Sequence, residues 1–297
     1  MSETTRLYGS ILITGGDGML GRALTNCLQS RGLTPISLSR TQLDITDVRA
    51  VEAAFATHRP TLVFNCAAFT KVDACETEAE KAGRINGSAV AELARNCRSA
   101  GACLVHVSTD FVFDGQLNRP YRVDDPVHPM QAYGRSKLLG EVRLAENAPA
   151  DWLIVRTAWL FGRGGVNFPR TIVQAARAGR PLSVVNDQTG TPTYVPDLAA
   201  AIVQMLDARL RGIWHVTNTG PCTWFDFARA VLDEFNIKAE VKPISSADWI
   251  KIRPGSAYRP PYTVLDTSPL ASAIGGPLRP WRLALADFRR VVEAEGF

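Results

Sequence analysis

Ile11-Leu12-Ile13-Thr14-Gly15-Gly16-Asp17-Gly18-Met19-Leu20-Gly21 is the stretch that decides the fold. Its first three residues are apolar and predict a buried strand. Glycines follow at Gly15, Gly18 and Gly21 in the spacing G-x-x-G-x-x-G, and Leu24 and Leu28 continue an apolar stripe of helical period. A strand that turns tightly into a helix aims the helix N-terminus at whatever lies above the strand. Unpaired backbone N–H groups and the helix dipole favour an anion there. Glycines let the backbone approach a pyrophosphate and let the helix pack against the strand. An ordinary glycine-rich turn would share this pattern. Its place between a strand and a helix at the start of the chain favours a dinucleotide site.

The pattern continues outward from that stretch. Residues 34–38, Leu62-Val63-Phe64, Cys103 to Val107 and Leu153-Ile154-Val155 predict further strands. Helices are predicted from about Asp47 to His58, capped by Thr46 or Asp47, and over Asn86 to Ser99 and Gln131 to Glu146. Near-continuous apolar strands separated by helices predict an α/β fold, a doubly wound parallel sheet of Rossmann type covered on both faces. Ligands then bind at the carboxyl ends of the strands. Past residue 157 the rhythm loosens. Helices are expected at 168–178, 195–207 and 223–235, and β segments at 182–185 and 213–216. Lys242 to Pro280 reads as long ordered loops, and Leu283 to Ala294 as a closing helix. The expected division is a nucleotide-binding domain over 1–157 plus part of 182–216, and a smaller α/β substrate-binding lobe over most of 158–297, built on the same sheet.

Bulk properties narrow the class. The chain has 297 residues, 46% apolar and 21% charged, which suits a soluble globular protein with a sizeable core. A net charge of +4 is too small to argue for nucleic acid or an anionic membrane. The six cysteines form no C-x-x-C pair, and most fall in expected helices or strands, as in a reducing compartment. Met1 to Ser10 is polar and has no apolar signal segment, so the expected location is cytoplasmic.

Three further clusters carry chemistry. Tyr133 and Lys137, four residues apart in Tyr133-Gly134-Arg135-Ser136-Lys137, share one face of the expected helix. A nearby ammonium favours the phenolate, which predicts a tyrosine pKa lowered toward neutrality and able to pass a proton to a carbonyl oxygen. By itself this spacing is more often just an exposed helix face. Ser108-Thr109-Asp110 ends one strand, where hydroxyls can bond a substrate oxygen or simply cap the next turn. Asn65-Cys66-Ala67-Ala68 ends another; its small residues leave room for a flat ligand or for tight helix packing.

The glycine turn, Asn-x-Ala-Ala, Ser-Thr-Asp and Tyr-x-x-x-Lys occur together and in that order, and the set resembles the extended short-chain dehydrogenase/reductase superfamily. Val107 through Gly115, Asn65 through Asp73, Asp187-Gln188-Thr189-Gly190-Thr191-Pro192-Thr193, Arg259-Pro260 and Val264-Leu265-Asp266-Thr267 narrow the resemblance to the dTDP-4-dehydrorhamnose reductases, over Ile11 to about Leu285. It implies hydride delivery from a nicotinamide cofactor to C4 of a 4-keto-6-deoxy sugar on a nucleoside diphosphate, best matched by dTDP-4-dehydro-L-rhamnose. On this chain it makes Tyr133 the general acid, Lys137 its tuner and ribose ligand, and Thr109 the bond to the ketone. Asp110, Phe111 and Trp159 would line the sugar pocket. Asn167 and Phe168 would help hold the nucleotide, and Arg259 the diphosphate. Gly15, Asp17, Gly18, Met19, Leu20, Ala67 and Ala68 would cradle the cofactor, with Asp44 and Ile45 at the adenine.

Cofactor choice follows from charge. NAD-specific sites place a carboxylate at the end of the second strand. Here Ser37-Leu38-Ser39-Arg40 has none, and Ser39 with Arg40 suits a 2′-phosphate, so NADPH is expected, with NADH tolerated. The family's usual Ser-Thr-Asp-Tyr is Ser-Thr-Asp-Phe here, which leaves the sugar's identity open. Some family members bridge a dimer through magnesium-bound glutamates. Arg22-Ala23 and Tyr194-Val195-Pro196 stand where two of these would fall, so no metal site is expected, and the chain is expected to be a monomer or weak homodimer. The alternatives are a reductase of another 4-ketosugar nucleotide, or a non-catalytic regulatory subunit that keeps the fold. The intact Tyr133 and Lys137 weigh against the second.

Overall fold

The computed structural model describes residues 9–297, so most of the polar stretch Met1 to Ser10 lies outside the described residues. The first half alternates strand and helix: β1 (Ile11–Thr14), α1 (Met19–Gln29), β2 (Ile36–Leu38), α2 (Val48–His58) and β3 (Leu62–Asn65). Two short helices, α3 (Val72–Thr77) and α4 (Ala79–Gly83), lead through one π turn into α5 (Ala89–Ala100). Then come β4 (Cys103–Thr109), α6 (Ala132–Glu146) and β5 (Trp152–Thr157). The second half holds β6 (Leu160–Phe161), α7 (Phe168–Arg177), β7 (Leu182–Val185), β8 (Thr189–Gly190), β9 (Thr193–Tyr194), α8 (Val195–Asp207) and β10 (Gly212–His215). It closes with β11 (Cys222–Thr223), α9 (Trp224–Glu234), β12 (Val241–Ile244), α10 (Ser246–Ile252), α11 (Ser268–Ile274) and α12 (Trp281–Ala294).

Six strands form one parallel sheet in the order β2-β1-β3-β4-β5-β10. The chain leaves β1 outward to β2 and returns to β3 on the other side, which opens a switch point between β1 and β3. Side chains alternate across the sheet with period two. Ile11, Ile13, Leu62, Phe64, Val105, Leu153 and Val155 join one core with Leu20, Leu24 and Leu28 of α1. Leu12, Val63, Leu104 and Ile154 join the opposite core with α2, α5 and α6. The covering helix beside α1 is α8, whose Leu198, Ile202, Val203, Met205 and Leu206 are fully buried there. Asp47 caps α2 as the sequence suggests, its carboxylate accepting from the Arg49 and Ala50 N–H groups.

The second half is built from two-residue and four-residue pairings, β7 with β12, β8 with β11 and β6 with β9. Its core is aromatic: Phe161, Tyr194, Phe227, Phe235, Trp281 and Phe288 pack together. The segment expected as loops from Lys242 to Pro280 holds most of β12 and all of α10 and α11. These elements run only four to seven residues, and the strand itself contains Pro243, so none builds a readable period. The short helices α3 and α4 escape a periodic reading for the same reason. Among the described residues no helix is long and apolar enough to cross a membrane.

Candidate active site

The glycine turn sits at the switch point. Gly15 adopts φ +63°, and a Cβ there would lie 2.8 Å from the Ala67 N of the neighbouring strand end. A Cβ on Gly21 would lie 2.5 Å from the Gly15 carbonyl oxygen, so its absence is what lets α1 pack onto the turn. Gly18, at the N-cap, offers no side chain to close the helix, and the first turn carries no acid. Gly18, Met19, Leu20 and Gly21 border a cavity of about 1120 Å³ that runs along the carboxyl ends of β1, β3, β4 and β5. An uncapped helix N-terminus over a glycine cradle fits a dinucleotide pyrophosphate.

The same cavity brings together most of the residues expected from sequence. Ala67, Ala68, Thr109, Asp110, Phe111, Tyr133, Lys137, Trp159, Phe168 and Arg259 all line it. Others stand elsewhere. Asp17, Ser39, Arg40, Asp44 and Ile45 lie outside the cavity lining, around the ends of β1 and β2. Arg40 is 3.6 Å from Asp44 in an exposed pair. Asn167 is a helix cap: its side chain accepts from the Arg170 N–H and donates to the Gly162 carbonyl, so its carboxamide is committed to holding α7 in place.

The geometry corrects the expected tuning of Tyr133. Lys137 is nearly fully buried, and its Nζ lies 3.3 Å from His106 Nε2. Burial, reinforced by the charge of Asp110, pushes the Tyr133 phenol above its ordinary value, while the Thr109 hydroxyl works the other way. The tyrosine is therefore held protonated, which is the form a proton donor needs. Burial lowers Lys137 to about 8, opposed by Glu141 and Cys66. Asp110 is raised to about 6 by burial, against the pull of the nearby Thr263 and Thr109 hydroxyls. Thr109 both caps the turn, accepting from the Phe111 N–H at 3.2 Å, and donates to Asp110 Oδ1 at 3.0 Å. The second oxygen of Asp110 and the hydroxyl of Thr157 are buried without a protein partner, and both residues line the cavity.

Beneath these groups lies a buried ion pair. Arg156 on β5 grips Glu141 on α6 through Nε at 3.0 Å and Nη2 at 2.7 Å, and Ser108 donates to the same carboxylate. It fixes α6 to the sheet. Trp159 sits in the left-handed region at φ 49°, and its indole stacks on Trp224 with centroids 3.5 Å apart and planes 8° apart. The missing Cβ of Gly190 leaves room for it, since a Cβ there would meet the indole at 2.5 Å. One face of Trp159 is thus covered by protein, and the residue still lines the cavity.

The outer wall comes from loops. Asp73 accepts from the Ala257 N–H at 2.9 Å and pairs with Arg259 Nη1 at 2.5 Å. Asp187 accepts from the N–H and hydroxyl of Ser246 at the start of α10, which brings Trp249, Ile252 and Arg253 to the rim. Thr157, Trp224, Trp249, Arg180 and Arg253 escape the sequence reading. Only Thr157 carried a usable signal, because it ends a strand in register with Thr109.

A doubly wound parallel sheet with a glycine turn at its switch point and a Tyr-x-x-x-Lys helix over the next strand ends is the arrangement of the extended short-chain dehydrogenase/reductases. A family model described as "RmlD substrate binding domain" matches residues 9–293. A dTDP-4-dehydrorhamnose reductase of Streptomyces griseus is 42% identical over 93% of this chain and 91% of its own. A dTDP-4-keto-6-deoxy-D-glucose reductase of Streptomyces niveus is 40% identical, covering 96% of this chain and 98% of its own. The crystal structure of a dTDP-4-dehydrorhamnose reductase from Bacillus anthracis in complex with NADP superposes with TM-score 0.87 at 35% identity, over 94% of this chain and 96% of that one. The chain belongs to the dTDP-4-dehydrorhamnose reductase family.

Proposed function

We propose that the protein reduces the C4 ketone of dTDP-4-dehydro-L-rhamnose to give dTDP-L-rhamnose. The chain is an NADP-dependent oxidoreductase that acts on a dTDP-4-keto sugar; the particular sugar and the residue roles are our reading. The observation that carries it is the meeting of Thr109, Tyr133 and Lys137 on one wall of the cavity that the glycine turn opens into.

The turn and the start of α1 would hold the pyrophosphate of NADPH, with Ala67 and Ala68 beside it. Ser39 and Arg40 would take the 2′-phosphate, and Asp44 and Ile45 would flank the adenine. When bound, the reduced nicotinamide supplies the hydride that C4 accepts. Tyr133, held protonated by its surroundings, gives its proton to the ketone oxygen, and the carbonyl becomes an alcohol. Lys137, charged below about 8, stabilises the phenolate left behind and binds the ribose. Thr109 turns its hydroxyl from Asp110 to the ketone, and Asp110 and Phe111 shape the sugar pocket. Trp159 contributes an edge of that pocket, and Arg259 contacts the diphosphate.

A second sugar deserves the same assay. Phe111 removes a hydroxyl from the pocket wall, and the S. niveus relative, named for a different ketosugar, is nearly as similar as the S. griseus one. The test is NADPH oxidation by the purified protein, with dTDP-4-dehydro-L-rhamnose generated in the same tube by a dehydratase and an epimerase. Oxidation that requires the epimerase and yields dTDP-L-rhamnose supports the reading. Oxidation without the epimerase assigns the D-sugar instead. No oxidation with either, despite NADPH binding, refutes the proposed substrate.

A further inference from the structure

Four polar side chains form one buried row across the sheet. Thr14 is the register partner of Asn65 between β1 and β3, and Asn65 of His106 between β3 and β4. All three lie on the face of the pleat that carries Leu12, Val63 and Leu104, the face that α6 helps to cover. Lys137 reaches the end of the row from α6. Exposure along the row is 0%, 1%, 1% and 2%. Thr14 Oγ1 lies 2.8 Å from Asn65 Oδ1, Asn65 Nδ2 lies 3.0 Å from His106 Nδ1, and His106 Nε2 lies 3.3 Å from Lys137 Nζ.

Counting hydrogens decides what this row can do. A neutral imidazole has one N–H and one bare nitrogen, and an ammonium has donors only. Burial, then the charge of Lys137, keeps His106 well below the ordinary histidine range, so the ring is neutral. Opposite an ammonium, Nε2 must be bare and Nδ1 must carry the hydrogen. Asn65 satisfies Nδ1–H only by presenting its carboxamide oxygen. Its NH2 then donates to Thr14, whose hydroxyl accepts as readily as it donates. A neutral amine offers a lone pair beside its two N–H donors, so opposite it every bond is free to run the other way: Thr14 O–H to the Asn65 oxygen, Asn65 N–H to Nδ1, and Nε2–H to the lone pair of Lys137. The distances fit both arrangements, since the two ends of a carboxamide are alike in size. The ammonium excludes the second polarity, and the neutral amine admits it.

We infer that Thr14, Asn65 and His106 are positioning residues for Lys137: they hold its ammonium through the bare Nε2 of His106, and their hydrogen bonds reverse direction when Lys137 loses its proton. The lost proton goes to water in the cavity; the row turns around without passing one along. The other groups facing Lys137 are Tyr133 and Glu141 on its own helix, the latter neutralised by Arg156 of β5, and the Cys66 thiol past the end of β3, which burial pushes up to about 12. The row's effect on turnover rests on the proposed function above; the tautomer itself does not.

The test is 15N NMR of the cofactor-free protein labelled at its four histidines, with the His106 signals identified by their loss in His106→Gln. Roughly pH 6.5 and 9.5 bracket the Lys137 value of about 8. The expected result is Nδ1–H at the lower pH and Nε2–H at the higher. One tautomer throughout, or the reverse order, overturns the inference. Asn65→Asp has no donor to offer and is expected to hold Nδ1–H at both; a switch that survives there also overturns it. In a second readout, His106→Leu is expected to move the alkaline loss of NADPH affinity and of turnover about one pH unit lower. His106→Gln keeps an acceptor for Lys137 and is expected to restore the wild-type limb. Equal losses in both variants at every pH would leave His106 a packing residue. Should His106→Leu fail to fold, the NMR arms decide. Absence of turnover with any ketosugar would count against the proposed function and leave the tautomer result standing.

Discussion

The two halves of the molecule wall one cavity by different means. The first half brings its side chains on strand ends and a single helix, locked by a cross-strand row and by the Arg156–Glu141 pair, both almost fully out of water. The second half brings Trp249, Arg253 and Arg259 on a short helix and the loop after it, tied down by half-exposed bonds, Asp73 to Arg259 and Asp187 to Ser246. A proton donor must be placed to a fraction of an ångström, and that suits rigid elements. A nucleotide must enter and leave, and loops that carry little local stability suit that. The contrast implies that changes in the first half act on turnover or folding, and changes in the second on substrate affinity.

The sharpest way to break that contrast is Tyr133→Phe. Turnover is expected to fall by about 10²–10⁴-fold, with NADPH binding nearly intact by fluorescence titration. Loss of both, or of neither, contradicts the assigned role. Glu141→Ala leaves Arg156 buried and unpaired and is expected to cost about 3–5 kcal/mol in denaturant unfolding. Turnover is expected to fall roughly tenfold per pH unit above about 8, as Lys137 loses its proton and no longer stabilises the phenolate. Arg259→Ala tests the other half. The sugar nucleotide's KM is expected to rise roughly tenfold, with kcat and thermal midpoint little changed. A kcat effect as large as the KM effect would show that the loop wall also sets the reacting geometry. Asp47→Ala, far from the cavity, is expected to cost about 1 kcal/mol through the α2 cap and to leave the kinetics alone.

The same contrast explains what could be read from the chain. The six-strand sheet was largely legible because Ile11 to Ile13, Leu62 to Phe64 and Leu153 to Val155 are short buried apolar runs between helices of clear period. The turn was legible because Gly15 and Gly21 leave no room for a side chain. Legibility ended where function depends on burial or on distant partners. Four-residue spacing put Tyr133 and Lys137 on one face, yet no spacing reveals that burial dominates the titration of both or that His106 receives the lysine. Nothing local in Asn167 separates a ligand contact from a helix cap. The stack of Trp159 on Trp224 joins residues 65 positions apart, and the pair of Asp73 with Arg259 joins residues 186 apart.

The placement of α8 has a consequence for synthesis. When a ribosome has released the chain as far as Thr157, five of the six strands exist, but the face shared with α1 lacks the helix that buries Leu198, Ile202 and Met205 against it. A nascent chain of that length carries an open greasy surface, and the edge strand Gly212–His215 is still unmade. The apparent nucleotide-binding half is therefore unfinished until about 60 further residues emerge. Messenger truncated between these points is expected to yield aggregates or chaperone-bound chains, not a working cofactor module.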